Sequence, residues 1–97
     1  MITHIVTLKF SPDAPAGRAE EIAAALLQLP AVIPEIKSYR VGPDLGLNED
    51  NYDLALVAQF DDEAGYRAYA TAPAHLAVIN ELVRPALAAR SGVQFEG

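Results

Sequence analysis

The chain predicts an α+β protein with elements in the order β-α-β-β-α-β, and three features of its sequence lead there. Apolar residues alternate over residues 2–10 and again over 52–60, which is the period of strands with an inward face. Elsewhere apolar residues recur at spacings of three and four, as on helices packed by one side. Short stretches bearing Pro and Gly separate these runs, as connections between elements require.

In the first run Ile2, His4, Val6, Leu8 and Phe10 share one face, and Thr3, Thr7 and Lys9 share the other with Ile5. Ser11-Pro12-Asp13-Ala14-Pro15 breaks the strand. Residues 17–29 place Ile22, Ala25, Leu26 and Leu29 on one helical stripe, with Glu20 and Glu21 near the positive N-terminal end. Pro30 and Pro34 bracket a connection that cannot continue the helix. A second strand is predicted over 35–41, stopped by Gly42-Pro43, and a polar loop follows over 44–51. In the third strand Tyr52, Leu54, Leu56, Ala58 and Phe60 oppose Asp53, Ala55, Val57 and Gln59.

Asp61-Asp62-Glu63 opens a second helix with negative charge where the helix dipole favours it, and this short helix carries Tyr66, Tyr69 and Ala70. Pro73 restarts it. A longer helix is predicted from there to about residue 90, with His75, Ile79, Leu82 and Ala86 as its stripe, a kink at Pro85, and Arg84 and Arg90 in its C-terminal half. Val93 and Phe95 then alternate with Gln94 and Glu96 in a closing strand.

This order is the ferredoxin-like arrangement, an antiparallel sheet with helices on one face. Both sides of the third strand are largely apolar, so the face away from the helices needs a cover. Two copies packed sheet to sheet about a two-fold axis bury Ile5, Val57 and their neighbours, which makes a homodimer the expected assembly. The size of 97 residues sets a single domain over 1–97 with a thin stability margin. Four Tyr, three Phe and many alanines make a fine-grained core that leans on a partner for burial.

At 52% apolar and 21% charged residues, the composition is that of a folded protein rather than a disordered segment. The net charge of −6 and the scatter of seven basic residues argue against a nucleic-acid partner, and the four tyrosines are better core or interface residues than a base-stacking platform. No cysteine is present to supply a disulfide, a thiolate nucleophile or a zinc site. The opening residues read as a strand, and no window approaches the roughly 18 apolar residues of a membrane span, so a cytoplasmic location away from membranes is expected. The glycines lack the strand-to-helix context of a phosphate loop, and no cofactor is expected.

The opening Ile2-Thr3-His4-Ile5-Val6-Thr7-Leu8-Lys9-Phe10, the turn Val32-Ile33-Pro34-Glu35-Ile36-Lys37, the strand Tyr52-Asp53-Leu54-Ala55-Leu56-Val57-Ala58 and the segment from Tyr66-Arg67-Ala68-Tyr69 through Pro73-Ala74-His75 together resemble the stress-responsive A/B barrel (Dabb) family. The resemblance spans nearly the whole chain and implies a dimeric α+β barrel. Most members of that family have no assigned activity; some plant members are cofactor-independent polyketide cyclases. By that resemblance His4, Tyr69 and His75 stand where the cyclases line their pocket. The pattern departs at Ala72, where a histidine is frequent, and at Leu26, where the cyclases carry a tyrosine. Both departures count against carrying the cyclase reaction over whole.

The periodicity also brings His4 and His75 toward one another, from the helix side of the first strand and the sheet side of the last helix. A histidine near neutral pKa exchanges protons in the physiological range, and a tyrosine hydroxyl orients a carbonyl or steadies an enolate. The candidate catalytic set is therefore His75 as general base, Tyr69 as orienting partner or oxyanion donor, and His4 in support. The competing reading makes both histidines satisfied core residues that pin helix to sheet. Metal binding is not expected, since Val78 and Ile79 stand three and four residues after His75. Three functions follow: a dimer that binds a small apolar molecule in a helix-over-sheet pocket, a cofactor-free cyclase-like enzyme, and a purely structural dimer. A cavity of about 300 Å³ or more separates the third from the others.

Overall fold

A computed structural model describes residues 1–97. Four strands, β1 (Ile2–Phe10), β2 (Ser38–Pro43), β3 (Leu54–Phe60) and β4 (Leu87–Glu96), form one antiparallel sheet in the order β2-β3-β1-β4. The helices α1 (Arg18–Leu26), α2 (Glu63–Thr71) and α3 (Pro73–Val78) cover one face of it, which is the ferredoxin-like arrangement.

Strand β1 lies at the centre because it pairs on both sides. His4 stands opposite Ala58 of β3 and Gln94 of β4, and Val6 stands opposite Leu56 and Gly92. Cross-strand partners share a face, so the alternation in β1 and β3 places Val6, Leu8, Leu54, Leu56, Ala58 and Phe60 together under the helices, all buried. Ile22, Leu26 and Leu29 close the core from above. Burying each large side chain of this set contributes roughly 1.5–3 kcal/mol.

Local signals explain the boundaries. Gly17, at φ 81°, turns the chain into α1 in a conformation that a side chain disfavours. Asp62 caps α2 by accepting a 2.8 Å hydrogen bond from the Gly65 amide. Proline at the first position starts α3 after Ala72, whose ψ of 132° ends α2.

Four sequence expectations need correction. The first helix stops at Leu26 rather than 29, and a 3-10 turn, Leu29–Ala31, takes over at Pro30. The second strand starts at Ser38, because Pro34 and Glu35 form a turn, and its ladder runs through Pro43. An edge strand tolerates a residue without an amide donor. The third strand begins at Leu54, leaving Tyr52 in the preceding connection. The largest difference is the last helix, which does not reach residue 90. After α3 the chain makes a π turn, Ile79–Val83, and a 3-10 turn, Arg84–Ala86, and β4 begins at Leu87. Pro85 cannot supply a helical donor, and pairing with β1 from Phe10 onward outweighs the helix propensity of the alanines. The π turn adds a residue to the helical repeat, so Val83 is buried where the stripe had placed Leu82.

The far face of the sheet carries Ile5, Val57, Val93 and Phe95. Val93 and Phe95 are 58% and 48% exposed in the single chain, which leaves an apolar surface without a cover.

Candidate functional site

His4, Tyr69 and His75 converge on one cavity between the sheet and the helices, of about 330 Å³. Its walls are mainly apolar, with Leu8, Leu26, Leu54 and Ile79 among them, and Arg84 and Arg90 stand at its edge. A larger and shallower depression of about 510 Å³ between Pro12 and Leu45 holds none of these three side chains.

β1 presents His4 on its helix-facing side, where the ring is almost wholly buried. Its Nδ1 accepts a 2.8 Å hydrogen bond from Nε2 of Gln94 on β4, which leaves the proton on His4 Nε2. The Tyr66 ring packs against it at a centroid separation of 4.9 Å. Burial, followed by the charges of Arg90 and His75, lowers the pKa of His4 to about 4, so the ring is neutral at pH 7.

The break between α2 and α3 positions His75. Ala70 lies in the last turn of α2, where a carbonyl has no helical amide to meet. His75 donates to that carbonyl from Nδ1 at 3.1 Å, so Nε2 carries a lone pair. Burial lowers its pKa most, the Ala70 carbonyl opposes this, and Arg90 lowers it further.

Tyr69 is 2% exposed on α2 and stacks on His75 with ring centroids 4.3 Å apart. Its hydroxyl lies 2.8 Å from that of Tyr39 on β2. Desolvation raises the pKa of Tyr69 to about 12, and raises Tyr39 further with the neighbouring Tyr69 contributing, so both keep their protons at neutral pH. Either hydroxyl can be the donor of this bond, and the Tyr69 hydrogen is free only when Tyr39 donates. The side chains lining the cavity thus include an imidazole with a lone pair at Nε2, an imidazole protonated at Nε2 and a phenol, groups of the kind that proton transfer next to a carbonyl uses.

All three residues singled out in the sequence meet here. Tyr39, Tyr66, Gln94 and Arg90 were not among them. Tyr39 and Gln94 sit opposite Ala58 and His4 in the ladder, information carried by register. Arg90 was placed on a helix and is in fact on β4. No three His, Asp or Glu side chains come together in a way that holds a metal ion.

Sheet order and cavity define an α+β protein of ferredoxin-like fold with a helix-over-sheet pocket. The chain belongs to the stress-responsive A/B barrel (Dabb) domain family, whose profile matches residues 2–96. It is similar to a dimeric ferredoxin-like protein of unknown function from Thermobifida fusca, at 44% identity and a TM-score of 0.87 over 97% of this chain and 88% of that one. A dimeric protein of unknown function and ferredoxin-like fold from Bacteroides fragilis matches at 27% identity and a TM-score of 0.85, over 99% and 95%. A hydroxynitrile lyase from Passiflora edulis shares the fold at 22% identity and a TM-score of 0.80, over 97% and 90%. No curated protein sequence matches the chain. No helix is long and apolar enough to cross a membrane.

Proposed function

We propose that this chain works as a homodimeric, single-domain binding protein that holds a small, largely apolar molecule in the cavity over His4, Tyr69 and His75. The observation that carries this reading is the cavity itself. At about 330 Å³ it has the size expected of a ligand site, at or above about 300 Å³, which weighs against a purely structural dimer. The dimeric relatives and the exposed Val93 and Phe95 support the assembly. A cytoplasmic location is part of the same proposal.

A second reading is favoured by one detail. Because His75 bonds the Ala70 carbonyl through Nδ1, its Nε2 keeps a lone pair, and the side chain lines the cavity. In this reading His75 Nε2 takes a proton from the carbon next to a ketone, and the electron pair moves onto the carbonyl oxygen, where Tyr69 and His4 donate hydrogen bonds. The enolate carbon then attacks a second carbonyl of the same molecule, and His75 returns the proton to the new alkoxide. This is cyclase-like chemistry without a cofactor.

Ligand titration followed by NMR tests the first reading, with shifts expected at His4, Tyr69 and His75 and elsewhere only weakly. Turnover by the wild-type protein and His75→Ala on small polyketides and β-keto thioesters tests the second. Equal rates for the two proteins across that panel remove His75 as a base.

A further inference from the structure

The geometry points to an anionic ligand: a small amphiphile with one carboxylate on an apolar body, whose charge is met by Arg84 and Arg90. This deepens the ligand-binding reading above and rests on it.

Cations are scarce in this chain, with 7 Lys and Arg against 13 Asp and Glu. Most of them are already engaged. Arg18 lies 3.1 Å from Glu21, Lys37 lies 3.7 Å from Asp61, and Arg67 lies 2.8 Å from Glu63. Lys9 sits 5.9 Å over the Tyr52 ring. Arg40, Arg84 and Arg90 make no ion pair, and two of these three line the same cavity. They reach it from different elements, Arg84 from the 3-10 turn before β4 and Arg90 from β4. No Asp or Glu lines that cavity, although acids outnumber bases nearly two to one in the chain.

Two unpaired guanidinium groups beside a low-dielectric wall create a local positive potential. A guanidinium matches a carboxylate through two parallel hydrogen bonds, so an acid is the natural head group. The apolar interior takes the remainder of the molecule. A dry cavity of about 150 Å³ admits benzene, so one of about 330 Å³ suits a body roughly twice that size. Both arginines are exposed at the edge, so the carboxylate keeps part of its hydration while its body is buried.

Calorimetric titration of the intact protein with 2-naphthoate and with its uncharged isostere 2-naphthamide tests this. The acid is expected to bind about tenfold tighter or better at low ionic strength, a difference of about 1.4 kcal/mol, with the margin shrinking as salt is added. In the double variant Arg84→Gln/Arg90→Gln the two probes should bind equally, with an unchanged near-ultraviolet circular dichroism of the four tyrosines as the sign of intact packing. Equal affinities in the wild type, or a preference that survives the double substitution, overturn the anionic ligand and leave the apolar-ligand reading standing. Binding of neither probe overturns both.

Discussion

Arg90 lies back over Gly92 on the helix-facing side of β4, its Nη1 2.9 Å from where a Cβ at position 92 would stand. Residues two apart on a strand share a face, so only a glycine leaves the guanidinium this space. Its charge there depresses the pKa of both His4 and His75. Arg90→Gln is expected to raise both values, and Gly92→Ala to raise them less by pushing the guanidinium aside. Histidine ring resonances followed through a pH titration check this; unchanged midpoints in Arg90→Gln remove the coupling.

Both histidines titrate below the ordinary value of 6.5 in the folded chain, His4 at about 4. An unfolded chain therefore binds protons at a pH where the native one does not. Stability is fully present above about pH 6.5 and is lost as pH falls toward 4, by on the order of 1–3 kcal/mol for His4. Urea unfolding at pH 7 and pH 5 should show the drop, and His4→Gln should flatten it.

The hydroxyl pair of Tyr39 and Tyr69 joins the edge strand β2 to α2. Tyr69→Phe leaves the Tyr39 hydroxyl without that partner and should cost about 1–2 kcal/mol. Tyr39→Phe/Tyr69→Phe should cost less than the sum of the single changes, because one interaction is removed twice. Strict additivity in denaturant titrations would show the pair to be energetically silent.

Much of this architecture was legible from periodicity. Ile2 to Phe10 and Leu54 to Phe60 show their strands through alternation, and Asp62 announces α2 through the chemistry of capping. The end of the last helix was not legible, because Ala86, Leu87, Ala88 and Ala89 favour a helix and only the ladder to β1 makes the last three a strand. His4 and His75 stood out as the two histidines of the chain on apolar faces, and Tyr69 through the resemblance to the family's cyclases. Gln94 and Arg90 did not, since polar residues near a chain end carry no sign of which strand they will adjoin.

The apolar far face predicts the oligomeric state. Val57→Lys places a charge amid Ile5 and Val93, away from the cavity, and should convert a dimer into a folded monomer. Analytical ultracentrifugation reads the mass and circular dichroism the fold. A variant that stays dimeric would move the interface elsewhere.

Asp62→Ala removes the hydrogen bond to the Gly65 amide and should cost about 1 kcal/mol, within a range of 0.5–2. Because α2 carries Tyr66 and Tyr69, the same variant should loosen the packing on His4 and raise its hydrogen-exchange rates locally.

Strand β4 runs antiparallel to β1 for its full length, so Met1 and Gly97 finish side by side, with the Gly97 amide donating to the Met1 carbonyl at 2.8 Å. A short linker can therefore join them without disturbing the sheet, and the chain can be reopened in the polar connection between β2 and β3. Such a circular permutant would keep the strand order while moving both tethering points to the opposite end of the molecule.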